Sequence, residues 1–145
     1  MVAITNWSRD RNTMYISTIT PRFTDTDALG HINNTNAPIW FEGARDPIFR
    51  LFTPDLSPQN WQLIIAKIDV SYHGQLFYGQ DIEVRTFVSR VGGASFDVYQ
   101  ELWQHGEKCV SGNAAMVHFD YPSQKSKPIP DDIRSELLEH LFEKG

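Results

Sequence analysis

The sequence predicts an α+β fold in which an antiparallel sheet curls around one largely buried helix. Apolar residues recur at helical spacing from Ile39 to Phe52, and they cover too wide a face for an exposed helix. Long segments of alternating polarity follow, joined by short turns. Because helices and strands are segregated along the chain, the α+β class is favoured over parallel βαβ units.

A first strand and the helix are predicted from the first half of the chain. The strand lies between Thr13 and Phe23, after a loosely tied terminus at residues 1–12, and Pro21 demotes its end to an edge or a bend. One of the residues 33–35 caps the helix, and Pro38 falls in its first turn, where a missing N–H costs little. Pro47 predicts a kink, or two helical pieces, near Arg45-Asp46.

The second half predicts a meander and a small C-terminal helix. Gly92-Gly93 and His105-Gly106 are tight-turn signals. The predicted strands are Trp61–His73, Asp81–Val91, Ala94–Gln104 and Lys108–Phe119, and the terminal helix is Asp131–Phe142. Repeats and linkers are absent from the sequence, so a single domain over residues 1–145 is expected.

Composition narrows the class of protein. The chain has 145 residues, 41% of them hydrophobic and 21% charged, which is ordinary for a soluble globular domain. A net charge of -5 argues against a chain built mainly to coat nucleic acid. The single cysteine, Cys109, cannot form an internal disulfide and is expected to be a small buried residue. With no signal core and no membrane-length apolar run, the predicted location is cytoplasmic, without a membrane partner.

Polar groups concentrate in one decapeptide, Asp25 to Asn34, between the first strand and the helix. Such a concentration on a connection is typical of a binding or catalytic site, although a surface turn with an asparagine cap has the same composition. A calcium loop is disfavoured, because Leu29 and Asn36 occupy its fifth and twelfth positions. A metal site from Asp25, Asp27 and His31 has no second histidine cluster to support it, and no metal is predicted.

The remaining interpretation of the decapeptide is carboxylate chemistry beside the start of a helix. Unpaired N–H groups at a helix N-terminus suit a carbonyl that becomes an oxyanion. Asp27 precedes that start, and Gly30 lets the backbone approach a ligand closely. This layout is typical of acyl transfer with the aspartate as general base or nucleophile. If Asp25 and Asp27 are both extended, they point the same way and one pKa rises.

The decapeptide and the segments after it resemble the hotdog-fold acyl-CoA thioesterases of the 4-hydroxybenzoyl-CoA thioesterase type. The resemblance ends near Pro130 and is carried by Asp25-Thr26-Asp27-Ala28-Leu29-Gly30-His31-Ile32-Asn33-Asn34, Phe41-Glu42-x-Ala44-Arg45, Gly79-x-x-Ile82 and Gly93-x-Ser95-Phe96. It implies an antiparallel sheet wrapped around one long central helix. It also implies a homodimer or homotetramer that hydrolyses acyl-CoA without a cofactor.

The resemblance also implies roles for individual residues. Asp27 matches the catalytic carboxylate, and the Asn34 N–H matches the donor to the thioester carbonyl. His31 and Asn33 match common choices in the same loop. A separate hotdog branch carries its carboxylate on the helix, which makes Glu42 a second candidate. In one departure, Ala37 followed by Pro38 stands where relatives usually have an aromatic residue.

The expected reaction is hydrolysis of an acyl-CoA thioester to free acid and CoA. The same fold also hosts dehydratases, for which His31 would be the base, and binders of acyl thioesters that do no chemistry. Because the chain is acidic, local cations must meet the CoA phosphates. Arg85, Arg90 and Lys108 are expected at one rim of the site, with Lys125 and Lys127 nearby in sequence.

Overall fold

The computed structural model describes residues 8–10 and 14–142, which form an antiparallel sheet and three helices. The strands are β1 (Ser8–Asp10), β2 (Met14–Ile19), β3 (Leu63–Tyr72), β4 (Ile82–Val91), β5 (Ser95–Gln104), β6 (Glu107–Asp120) and β7 (Lys125–Ser126). The helices are α1 (Asn36–Ala44), α2 (Asp46–Phe52) and α3 (Asp131–Glu139). None of these helices is long and apolar enough to cross a membrane.

The strand order is β1-β2-β4-β5-β6-β3, with β7 paired to β6. Every pair of neighbouring strands is antiparallel, which confirms the predicted meander of β4, β5 and β6. β3 precedes β4 in the chain but pairs with β6, so the helical segment that joins β2 to β3 runs from one side of the sheet to the other. One edge of β3 has no strand partner among the described residues.

The helical segment provides the centre of the core, as its apolar face predicts. Trp40 and Ala44 of α1 are buried with Ile82 and Leu102 of the sheet. A second cluster surrounds α2 and receives Leu137 from α3. The sheet therefore curls around the helices as expected for the hotdog fold. Cys109 is buried as expected, and burial raises the pKa of its thiol.

Of the two predicted alternatives at Pro47, the structure has two helical pieces rather than a kinked helix. α1 ends at Ala44, α2 begins at Asp46, and Arg45 joins them. Because Pro47 has no N–H and the Arg45 N–H turns to the Glu42 and Gly43 carbonyls, the helix loses interior hydrogen bonds. Gln100 of β5 compensates, since its Nε2 donates to the Phe41 carbonyl over 2.9 Å. The long central helix is thus two segments pinned by the sheet.

Other boundaries differ from the sequence prediction. β2 stops at Ile19, and Phe23 lies in a 3-10 turn, because the chain bends at Pro21. The β4–β5 connection spans residues 92–94, and neither of its glycines has positive φ, so it is not the predicted two-residue hairpin. The His105-Gly106 turn is confirmed, with φ of 55° and 73°. Of the predicted loose terminus at residues 1–12, the structure describes only 8–10, which pair with β2 as β1.

Candidate active site

The decapeptide folds into a narrow loop between β2 and α1. The Asp27 N–H donates to the His31 carbonyl over 2.7 Å, and the Gly30 N–H donates to the Asp27 carbonyl over 3.2 Å. Thr26 and Ile32 form an isolated antiparallel bridge at the base of the loop. Gly30 has φ of 83°, where a side chain would strain the turn. The loop therefore holds Asp27 on a short, closed turn immediately before the helix.

One oxygen of the Asp27 carboxylate is restrained by this turn. Its Oδ1 accepts hydrogen bonds from the Leu29 N–H at 2.8 Å and the His31 N–H at 3.1 Å. Its Oδ2 accepts none from any residue that the structure describes. The side chain is half-buried. The carboxylate is thus oriented by two backbone donors, and one oxygen remains available to a ligand or a water molecule.

Asp25 has a different environment, and the expected pair of parallel carboxylates does not form. Asp25 lies at the end of the 3-10 turn rather than in an extended strand, and its side chain is 2% exposed. The Arg22 backbone N–H donates to it over 2.8 Å and the Arg22 Nη2 over 3.1 Å. Asp25 therefore anchors the loop. Across residues 8–10 and 14–142, no three His, Cys, Asp or Glu side chains are grouped to hold a metal ion.

An unpaired amide lies just before the start of α1. The Asn34 N–H donates to no acceptor within the described chain. The Asn33 Oδ1 accepts from the Thr35 N–H at 3.0 Å and the Thr35 hydroxyl at 2.9 Å, which closes an Asx turn. Of the predicted caps, Thr35 is the N-cap residue, and its side chain makes no capping bond to the helix. The Asn34 carbonyl accepts a 2.6 Å hydrogen bond from the Tyr72 hydroxyl. The segment before α1 is thus fixed from both sides while the Asn34 N–H stays free.

A cavity of about 310 Å³ opens beside this amide, between the first turn of α1 and β3. Ala37 is 3% exposed and forms part of its apolar wall. The residues around the cavity are Ile32, Asn33, Asn34, Ala37, Tyr72, Gly74, Gln75, Leu76 and Val110. Pro38 is accommodated in the first turn, so the Ala37-Pro38 departure leaves the start of the helix intact and keeps the space beside Asn34 open.

His31 contacts the Asp27 carboxylate through its backbone N–H, whereas its ring packs against a different residue. The imidazole packs edge to face on Phe77, with ring centroids 5.3 Å apart. Gln104, 3% exposed, holds Phe77 in place: the Phe77 N–H donates to its Oε1, and its Nε2 donates to the Phe77 carbonyl, both over 2.9 Å. The sheet thus supports the loop through Gln104, Phe77 and His31.

Glu42 lies away from the helix start. It is exposed on α1, six residues after Asn36, which is roughly 9 Å along the axis. It lines a separate groove between α1 and β3, together with Arg45 and Ile65. Glu42 is therefore separated from the free amide by more than one turn of α1.

The five predicted phosphate-binding cations do not share one rim. Arg85 and Arg90 are five residues apart on β4, or roughly 17 Å. Lys108 lies near the start of β6, whereas Lys125 and Lys127 follow its end. Arg85 and Lys108 therefore lie toward the end of the sheet that carries the Asp27 loop, and the other three lie toward the opposite end.

Each of the first three cations already has a partner. Arg85 pairs with Glu83 and stacks 4.0 Å from the Trp103 ring centroid. Arg90 pairs with Asp97 at 3.1 Å. The Lys108 Nζ is 3.8 Å from Glu101, the loosest of these pairs.

Sequence reasoning missed three residues that support the site: Asn36, Tyr72 and Gln104. Asn36 follows the decapeptide by only two positions, so a local reading of the sequence could have found it. Tyr72 and Gln104 contact the loop only through the pairing of distant segments. Nothing in their local sequence indicates it.

This chain is similar in sequence and in fold to known proteins. The family model of the Thioesterase-like superfamily matches residues 21–137. The structure of a predicted thioesterase from Bacillus stearothermophilus is 45% identical, with a TM-score of 0.88, over 92% of this chain and 100% of that one. The uncharacterized protein YsmA of Bacillus subtilis (strain 168) is 26% identical over 86% of this chain and 85% of its own.

A thioesterase from Thermus thermophilus, solved in complex with coenzyme A and Zn, shares the fold. It has a TM-score of 0.75 at 24% identity, over 84% of this chain and 95% of its own. The residues matched by the family model include most of the described sheet, α1, α2 and most of α3. The chain therefore belongs to the Thioesterase-like superfamily and has the hotdog fold of its members.

Proposed function

We propose that the protein hydrolyses acyl-CoA thioesters to a free acid and CoA. The observation that carries this proposal is the arrangement of the decapeptide: the Asp27 carboxylate has one restrained and one free oxygen, and the unpaired Asn34 N–H lies at the adjacent helix start. Membership of the superfamily supports the reaction class. The coenzyme A bound in the Thermus thermophilus thioesterase supports CoA as the leaving group.

The chemistry follows from these two groups. As general base, Asp27 accepts a proton from a water molecule whose oxygen attacks the carbonyl carbon. As nucleophile, the carboxylate attacks directly, and water then hydrolyses the resulting anhydride. In both routes the negative charge that develops on the carbonyl oxygen is met by the Asn34 N–H at the positive end of α1. The C–S bond breaks, and the thiolate of CoA leaves and takes up a proton.

The position of the His31 ring supports hydrolysis over dehydration. A dehydratase of the kind considered above needs an imidazole base beside the carboxylate. Here the His31 ring packs on Phe77, and its contact with Asp27 runs through the backbone N–H. Hydrolysis requires only the carboxylate, the amide and water.

We also propose that the active form is a homodimer built on β3. The strand has an unpaired edge, and Ile65, Ile68 and Tyr72, which point to the helical side of the sheet, are 41%, 49% and 51% exposed. A long, apolar, open edge is an aggregation hazard unless it is covered. Pairing with a second copy about a two-fold axis covers the edge and the apolar strip together. Tyr72 also binds the Asn34 carbonyl, so this interface borders the site.

The test is the release of free thiol from a panel of acyl-CoA substrates of graded length, aliphatic and aromatic. Hydrolysis predicts steady-state thiol release that is proportional to enzyme concentration for at least one member. A dehydratase converts a hydroxyacyl-CoA to an enoyl-CoA without thiol release. Calorimetric binding of acyl-CoA without any turnover would contradict the proposal and identify a binding module.

A further inference from the structure

Asn36 joins the loop of Asp27 to the start of α1. Its side chain is 8% exposed, and its Nδ2 donates to the Asp25 carbonyl at 2.9 Å and to the Asn33 carbonyl at 3.3 Å. Its backbone N–H donates to the same Asn33 carbonyl at 3.0 Å. Two N–H groups of one residue therefore hold the Asn33 carbonyl.

The orientation of that carbonyl determines the direction of the free amide. The Asn33 C=O and the Asn34 N–H belong to one peptide group, and the described chain contains no cis peptide bond. In a planar trans peptide these two bonds point in opposite directions. Because the Asn33 carbonyl points to Asn36 and into the helix, the Asn34 N–H points outward from the helix start. In that direction it meets no acceptor from the described protein.

The same side chain couples the amide to the carboxylate. The Asp25 carbonyl accepts both the Asn36 Nδ2 and, at 2.7 Å, the Asn33 N–H. Asp25 is two residues before Asp27 and is itself fixed by Arg22. Rotation of the Asn33–Asn34 peptide would break the bonds to Asn36 and disturb this carbonyl. The two reacting groups are thus held in one hydrogen-bonded frame with Asn36 at its centre.

We propose that Asn36 is a positioning residue that aims the Asn34 N–H at the oxyanion of the tetrahedral intermediate. This inference rests on the proposed thioesterase function. A donor stabilises developing charge most when it is oriented before the reaction begins. Loss of a whole oxyanion donor costs about 10²–10³ in kcat, so misdirection of a donor that remains present should cost about 10–100-fold.

Two variants test the role of the carboxamide. Asn36→Asp keeps the shape but turns two donors into a carboxylate that faces two carbonyls, and a carboxylate in the first turn is compatible with the helix dipole. Asn36→Ala removes the donors without adding repulsion. Asn60→Asp, at an exposed position in a distant turn, is the matched control for added charge.

The readout separates positioning from general support of the fold. An S-alkyl-CoA thioether binds without a carbonyl, whereas a trifluoromethyl ketone analogue of acyl-CoA forms a tetrahedral adduct that mimics the intermediate. Both Asn36 variants should lower kcat by about 10–100-fold and should weaken binding of the ketone analogue by a similar factor. KM and the affinity for the thioether should stay within about twofold, because ground-state contacts are unchanged. Asn60→Asp should match the parent.

Two results would overturn the inference. If the variants lose thioether and ketone affinity equally, Asn36 only maintains the fold; if they keep the kcat of the parent, it has no role in catalysis. A parent protein that hydrolyses no acyl-CoA would instead contradict the proposed function, and this inference with it. An active parent with unaffected Asn36 variants contradicts the positioning role alone.

Discussion

Ala37 contributes only a methyl group to the wall of the cavity beside Asn34. It is buried and borders the cavity of about 310 Å³ next to the proposed oxyanion donor. If the acyl group enters this cavity, a larger side chain at position 37 must exclude large acyl groups first. The cavity would then set the size of the acyl group that the enzyme accepts.

We expect Ala37→Leu to restrict the enzyme to smaller acyl groups, and Ala37→Trp to restrict it further. The kcat/KM for aromatic or branched acyl-CoA should fall by about tenfold or more in the Trp variant, while acetyl-CoA loses little. The measurement is the ratio of the two kcat/KM values, with Ser135→Trp on the exposed face of α3 as the control. An equal loss on both substrates would mean that the acyl group lies elsewhere.

Asp27 and Asn34 could be chosen as candidates from the sequence because their neighbours in the chain carry the signal. The carboxylate, the glycine turn and the helix start lie within ten residues, and the backbone contacts that orient Asp27 are made within the same loop. The partners of the site are less local. Tyr72 reaches Asn34 across 38 positions, and Gln104 reaches Phe77 across 27. Such contacts depend on strand order, which a single sequence does not encode in any one segment.

At the scale of elements, the approach of α1 to β6 depends on Gly112. A Cβ at this position would lie 2.8 Å from Cε2 of Phe41 and 3.0 Å from the Asp69 carbonyl oxygen. Both neighbours belong to packed elements, the buried face of α1 and the paired strand β3. The glycine therefore sets the distance between helix and sheet.

Gly112→Ala should lower the free energy of unfolding by about 1–3 kcal/mol through overpacking. Urea denaturation followed by circular dichroism measures this change as a shift of the midpoint. Gly93→Ala is the control, because a Cβ there meets nothing within 4 Å and its φ is not positive. If both variants unfold at the midpoint of the parent, the helix does not pack on Gly112 as described.

The apolar strip of β3 gives a second prediction at this scale. Ile68→Glu places a charge on the proposed dimer interface, where pairing would bury it without a partner. Light scattering should show the parent as a dimer or a larger assembly and the variant shifted toward monomer, with reduced kcat/KM. Leu138→Glu, at an exposed position of α3, should change neither. A parent that is monomeric at micromolar concentration with full activity would contradict the interface.

The elements themselves were predictable to different degrees. Alternation of polarity predicted β4 and β5 to within one residue at each end, because each strand has one buried face. The break in the helix was predictable from Pro47 alone, because proline has no backbone N–H to donate within a helix. The pairing of β3 with β6, and the use of Gln100 to bind the Phe41 carbonyl at the break, depend on how distant strands assemble.

At the scale of the whole molecule, an acidic chain must hold the phosphates of CoA through local cations. Arg85 follows the segment that leads from the cavity into β4, and Lys108 lies two residues before Val110 of the cavity wall. Arg90, Lys125 and Lys127 lie toward the other end of the sheet. The first pair is therefore the better candidate for phosphate contact.

Neutralising Arg85 and Lys108 together, as Arg85→Gln and Lys108→Gln, should raise KM for acyl-CoA several-fold with little change in kcat. Phosphate contacts are the same in the ground and transition states, so only binding is affected. An acyl-pantetheine thioester, which lacks the nucleotide phosphates, should show a smaller change. The triple replacement of Arg90, Lys125 and Lys127 by Gln is the matched control. A larger effect from the control set would place the phosphates at the opposite end.

In the proposed mechanism, Asp27 supplies the base or nucleophile for thioester hydrolysis. Asp27→Asn keeps an oxygen for the Leu29 and His31 N–H groups, so the loop should keep its shape while the basicity is lost. The control is Asp132→Asn, at an exposed position of α3. Circular dichroism and thioether-CoA binding by both variants report whether the fold and the ligand site are intact.

The decisive measurement is kcat for thiol release by Asp27→Asn on the best acyl-CoA substrate of the parent. We expect kcat to fall by about 10²–10⁴ with unchanged fold and thioether binding. Hydrolysis at the rate of the parent would contradict the assignment of Asp27, and Glu42→Gln would then be the variant to measure.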